Sequence, residues 1–130
     1  MTKEDFIEVL KKKRYPYKIE RDKMLVTYKG DVWLDSLKTI PPGVQFKNGG
    51  YVYLNFLKTL HPSVEFKNKG GVDLGSLETL HPGVEFKNKG DVYLKSLIGG
   101  EGWFRRWSGN IDGIDSKRLL NFMISKGMFI

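Results

Sequence analysis

Read as alternating apolar and polar positions, the chain repeats one pattern every twenty residues. Val44, Phe46, Val52 and Leu54 alternate with polar neighbours, then Val64, Phe66, Val72 and Leu74, then Val84, Phe86, Val92 and Leu94. A period of two is the mark of strands that bury one face. After each second strand the apolar spacing changes to three, in Leu34, Leu37, Ile40, in Leu54, Leu57, Leu60 and in Leu74, Leu77, Leu80. That spacing suits a tight arc, closed by Pro42, Pro62 and Pro82. The opposite corner holds Asn48, Asn68 and Asn88, each two residues before Gly50, Gly70 or Gly90, glycines expected to accept positive φ. Each unit is therefore expected to comprise two short strands and two bends.

Without any insertion, the units run over 30–49, 50–69 and 70–89, with a partial fourth from Gly90 to Leu97. Self-similarity at a fixed period signals a solenoid. One unit cannot bury its apolar face alone, so copies are needed above and below it. Stacking at the parallel-strand spacing of about 4.8 Å predicts one interior column of Phe46, Phe66 and Phe86.

The flanks read as caps. "TKEDFIEVLKKKR" offers Thr2 as N-cap, acids in the first turn, and Phe6, Ile7, Val9 and Leu10 as an apolar face, which predicts an amphipathic helix. "DKMLVTYKG" at 22–30 matches the second half of a unit, with Met24 and Val26 where valine and phenylalanine stand later. Near the other end, "IDSKRLLNFMISKG" offers Asp115 or Ser116 as N-cap, Leu119, Leu120, Met123 and Ile124 as an apolar face, and Gly127 as a stop.

The spacing L-x-x-L-x-x-L-x-P over residues 30–97 resembles leucine-rich repeat proteins, and more closely the short 20-residue leucine-rich-like repeats of small phage and bacterial proteins. The standard asparagine after L-x-L-x-x is absent and a V-x-F strand is added, so coils without helices are expected. The resulting expectation is a mainly β, single-domain parallel β-solenoid of leucine-rich-like coils over residues 1–130. An N-terminal helical cap would span 1–29, the repeats 30–97, and a C-terminal aromatic and helical cap 98–130. For such a family the resemblance implies binding through an exposed face without a shared reaction. Its phage members suggest one concrete role, the blocking of a host defence complex in the manner of an anti-CRISPR protein.

A chain of 130 residues suits one domain. It has no cysteine, which excludes a disulfide framework and a cysteine-ligated zinc site and makes a cytoplasmic setting the default. The N-terminus does not read as a secretory signal, and no apolar run approaches membrane-spanning length, so no membrane partner is expected. The formal net charge of +7 raises the question of an anionic partner. Its distribution weakens that reading: residues 1–29 carry 9 basic and 5 acidic side chains, 30–97 carry 8 and 7, and 98–130 carry 5 and 3. The excess sits in the ends, chiefly in "KKKR" at 11–14 and in Arg105 and Arg106.

Candidate chemistry is sparse. His61 and His81, the two histidines, share one repeat position directly before proline, which assigns them to the coil rather than to an active site. The sequence offers no acid–base pair, metal cluster or phosphate-cradling glycine loop, so no catalysis, metal or cofactor is expected. Lys47, Lys67 and Lys87 form a column of like charge, compensated by Glu65 and Glu85 two residues before the latter two. Columns that recur are demanded by the coil, whereas outward columns that change are open to adaptation. One such column is Trp33, Tyr53, Asp73 and Tyr93, and Phe56 stands where other units have Ser36, Ser76 and Ser96. These residues form a candidate recognition strip, or else aromatics that favour strands and stack across neighbours. In "GWFRRWSGN" at 102–110, Arg105 and Arg106 lie among Trp103, Phe104 and Trp107, suited either to stacking on bases and holding phosphates or to the outer side of a cap. The leading expectation is a non-catalytic module that binds another protein, with a host defence effector as the partner the resemblance suggests. The alternative is a nucleic-acid-binding protein using the basic terminal segments, and a third is a binder of carbohydrate or another small ligand.

Overall fold

The computed structural model describes residues 1–81 and 84–98. Within these, the chain is mainly parallel β-sheet with one helix of more than a single turn. That helix, α1, spans Lys3–Lys12 and begins as its sequence predicts. The Thr2 hydroxyl accepts from the Asp5 N–H and the Asp5 carboxylate accepts from the Thr2 N–H, both at 3.1 Å, a reciprocal capping box. Phe6 and Leu10, one turn apart, are wholly buried.

A hairpin follows, β1 (Tyr17–Glu20) and β2 (Lys23–Val26), whose turn holds Arg21 at φ 58°. From β2 onward the strands fall into two sheets. One has the order β1-β2-β4-β6-β8, with β4 at Val44–Phe46, β6 at Glu65–Phe66 and β8 at Glu85–Phe86. The other has the order β3-β5-β7-β9, with β3 at Val32–Trp33, β5 at Val52–Tyr53, β7 at Val72–Asp73 and β9 at Val92–Tyr93. After the β1–β2 hairpin every pairing is parallel and advances by twenty residues, Met24 to Val44, Phe46 to Phe66 to Phe86, and Val52 to Val72 to Val92. A single turn of helix, α2 (Lys95–Ile98), ends the described chain.

Both sheets and the arc between them turn their apolar residues to one core. Val44, Phe46, Val52, Leu54 and Leu57 and their counterparts Val64, Phe66, Val72, Leu74 and Leu77 are all 0% exposed. The expected phenylalanine column is present: Phe66 lies 5.3 Å, ring centre to ring centre, from both Phe46 and Phe86, with the rings within 6° of parallel.

The asparagine corner works differently from its expected role. Asn68 is buried, and its Nδ2 donates to the carbonyls of Gly50, Gly70 and Gly71 at 2.9 to 3.0 Å, tying together two corners one repeat apart. Asn48 and Asn88 repeat the bridge. Three carbonyls around one nitrogen fix the amide orientation, since only N–H groups are tolerated there. The following glycines are required by crowding rather than by positive φ. A Cβ on Gly70 would lie 2.8 Å from the Gly50 carbonyl carbon, whereas the glycine with positive φ among the described residues is Gly43, at 80° in the arc.

At the N-terminal end the exposed sheet edges are covered. β1, with Lys18 and Glu20 exposed, pairs along the edge of β2, and the Trp33 N–H at the edge of β3 donates to the Tyr15 hydroxyl at 3.1 Å. Pro82 and the expected C-terminal cap beyond Ile98, including Trp103, Phe104, Arg105, Arg106 and Trp107, lie outside the described residues.

Candidate interaction face

The register of the β3-β5-β7-β9 sheet brings Trp33, Tyr53, Asp73 and Tyr93 into one outward row. Inward neighbours Val32, Val52, Val72 and Val92 hold each strand against the core, so alternation forces the next side chain out. Trp33 and Tyr53 stack with ring centres 3.7 Å apart and planes within 11°. Tyr51, one position before β5, adds a third ring 5.4 Å from Tyr53. Trp33 is still 49% exposed and Phe56 56%, while Tyr53, Asp73 and Tyr93 are half-buried. The structure thus places five of the sequence-derived site residues on or beside one sheet, and Arg105 and Arg106 lie outside the described residues.

Sequence reasoning did not anticipate how acidic this face is. Columns on either side of the row contribute Asp31 and Asp91, and Asp35. Asp31 Oδ1 accepts from the Tyr51 N–H and Asp35 Oδ1 from the Asn55 N–H, both at 2.8 Å and both one unit ahead. Asp73 Oδ1 accepts from the Gly75 N–H at 3.0 Å. Burial pushes the Asp73 carboxyl above its ordinary value; the Gly75 N–H draws it back in part and Asp35 raises it further. The Tyr53 phenol is raised as well, first by burial and then by Asp31, Tyr51, Asp73 and Asp35. The ion pairs between described side chains, Lys23 and Lys67 with Glu65 and Lys58 with Glu78, use no aspartate of this face.

The third unit is cut back across all three columns. Gly71, Asp73 and Gly75 stand where the second unit has Tyr51, Tyr53 and Asn55. Neighbouring rings fold over those glycines: a Cβ at Gly71 would lie 2.6 Å from the Tyr51 ring, and one at Gly75 2.8 Å from the Tyr93 ring. A signal for this was present in the sequence, since in one unit two alternate positions become glycine and the position between them shortens from tyrosine to aspartate.

The other sheet presents a different surface. Glu65 accepts from Gln45 at 3.0 Å and pairs with Lys23 and Lys67 at 3.3 Å, so the expected compensation of the lysine column is visible in the middle unit. His61 serves the arc: its Nδ1 accepts the Ser63 N–H at 3.1 Å and lies 2.7 Å from the Ser63 hydroxyl, which in turn accepts the Gly43 N–H. Among the described residues no three metal-ligating side chains converge, and no helix is long and apolar enough to cross a membrane. No protein-family model matches the chain, and comparison with curated proteins and with solved structures finds no match.

Proposed function

We propose that this chain is a capped β-solenoid that acts as a non-catalytic protein-binding module, with the outward face of the β3-β5-β7-β9 sheet as its recognition surface. The observation that carries this reading is the contrast between the two sides of those strands. Inward positions keep their identity from unit to unit, as valine and then leucine, because packing demands it. Outward positions vary between units, and the first, second and fourth units carry large rings that remain partly exposed, Trp33 and Phe56 most of all. Tryptophan and tyrosine dominate the binding energy of protein interfaces. Support for the solenoid comes from the twenty-residue register of both parallel sheets, and for the cap from α1 and β1 closing one end.

A nucleic-acid partner is less well served. The aspartates around the strip repel phosphates, and the exposed run Lys11 to Arg14 already has a local role at the C-terminal end of α1, where cations offset the helix dipole. A sugar stacks on a free ring face, whereas Trp33 and Tyr53 each turn one face to the other. The resemblance to phage repeat proteins extends the reading to a host defence effector as partner, which the chain would inhibit in the cytoplasm. Replacing Tyr53 and Tyr93 together by alanine should weaken binding of a partner recovered from nuclease-treated native cytosol by about 2 kcal/mol, roughly thirtyfold. The variant should stay folded, and unchanged affinity would remove this face as the main site.

A further inference from the structure

The shortened third unit gives the strip a feature that ring exposure alone does not. Asp73 stands in the row between Tyr53 and Tyr93, on a unit whose flanking positions are Gly71 and Gly75, with the Tyr51 ring over the first glycine and the Tyr93 ring over the second. A half-buried carboxylate is therefore set among three tyrosine rings. Its Oδ1 is engaged by the Gly75 N–H, and none of the lysine–glutamate pairs of the described residues reaches it. Asp31, Asp35 and Asp91 surround the row, and Lys95, exposed at its C-terminal end, is the basic residue in these outward columns.

We propose that this cut-back unit receives a cationic side chain, an arginine or lysine from a basic segment of a partner protein, with Asp73 as its ion-pair partner and Tyr51, Tyr53 and Tyr93 as aromatic walls. Charge complementarity selects the occupant. A cation gains both from ring faces and edges carrying phenol oxygens and from a carboxylate that burial has left poorly solvated. Partial desolvation also raises the value of the pair above that of an exposed salt bridge. An anion or a purely apolar side chain would cover the half-buried Asp73 carboxylate without an ionic partner, an unfavourable outcome. The overall charge of +7 obscures this arrangement, because the excess lies in the two terminal segments and not in the repeats. The inference rests on the reading of this face as the recognition surface.

The test uses the full chain and two capped peptides, Gly-Arg-Gly-Arg-Gly and its citrulline counterpart, which keeps the planar shape and three N–H donors but exchanges one NH2 for a carbonyl oxygen and removes the charge. Each is titrated to about 10 mM at near-physiological salt while the tyrosine ring signals are followed by NMR, a range matched to one or two cation–π contacts. The arginine peptide should shift the Tyr51, Tyr53 and Tyr93 signals with at least about tenfold higher affinity than the citrulline peptide. Asp73→Asn, which keeps an acceptor for the Gly75 N–H, should abolish that preference with no loss in melting temperature, while Lys67→Ala on the other sheet should preserve it. Equal binding of the two peptides, no shift at 10 mM, or an undiminished preference in Asp73→Asn would overturn the inference. The recovered partner separates this failure from the wider one. Loss of partner affinity in the Tyr53→Ala, Tyr93→Ala variant but not in Asp73→Asn sinks the cation site and leaves the face standing; loss in neither sinks both.

Discussion

Replacing Phe66 by alanine removes the middle ring of a three-ring interior column. Its side chain is 0% exposed, and it contacts Phe46 and Phe86 at equal ring separations of 5.3 Å. Withdrawing a buried phenylalanine forfeits about 1.5 to 3 kcal/mol of transfer free energy, and each lost ring pair adds roughly 0.5 to 1.5 kcal/mol. The total, about 4 kcal/mol, agrees with the 3 to 5 kcal/mol usual for such truncations. Phe66→Leu keeps most of the apolar volume and loses only the ring pairs, so about 1 to 2 kcal/mol is expected. Lys67→Ala, one residue along, breaks a 3.3 Å pair with Glu65 at a partly exposed site and should cost about 0.5 kcal/mol or less. Urea titrations of the three variants, with the slopes checked for agreement, would rank them. A loss below about 1.5 kcal/mol for Phe66→Ala, or one equal to that of Lys67→Ala, would refute a core built on this column.

Other changes probe separate joints of the fold. Asn68→Asp places a carboxylate oxygen against the carbonyls of Gly50, Gly70 and Gly71, so it should destabilise by at least about 3 kcal/mol at neutral pH, more than Asn68→Ala, with the excess shrinking as acid protonates it. Tyr15→Phe should cost about 1 kcal/mol and speed hydrogen exchange at the Trp33 amide, whose acceptor it removes. Burial pushes the Glu65 carboxyl up, but hydrogen bonds from Lys23, Gln45 and Lys67 outweigh it and hold the group below its ordinary value of 4.5. A depressed folded value means stability that is present above that pH and lost as pH falls through the folded value; Glu65→Gln should flatten this acid slope in thermal melts.

How far the sequence was legible varies with the range of the interaction concerned. Packing columns such as Phe46, Phe66 and Phe86 announce themselves because every unit must fill the same cross-section, and Met24 and Val26 could be matched to the first column from spacing alone. Thr2 and Asp5 form a local signal three residues apart. β1 was not legible: Tyr17–Glu20 buries no side chain fully, and its pairing with β2 rests on backbone hydrogen bonds that leave no apolar pattern. The asparagine column was seen as recurring but read as a turn residue, because the Gly50 carbonyl that Asn68 reaches, one repeat before that of Gly70, lies eighteen residues back. On the candidate face, the aromatic row followed from alternation. Its acidity did not, since it emerges only when Asp31, Asp35 and Asp73 are brought around Tyr53 by stacking.

The claim that one sheet face, and not the other, meets a protein partner is tested most directly by site-specific photocrosslinking in native cytosol. A photoreactive phenylalanine analogue placed at Tyr53 reports on the aromatic row, and the same analogue at Lys67 reports on the lysine-bearing sheet. Position 53 should yield a discrete protein adduct that survives nuclease treatment and is competed away by unlabelled chain, with no counterpart from position 67. A protein adduct from position 67 alone, or a nuclease-sensitive adduct from position 53, would contradict the account.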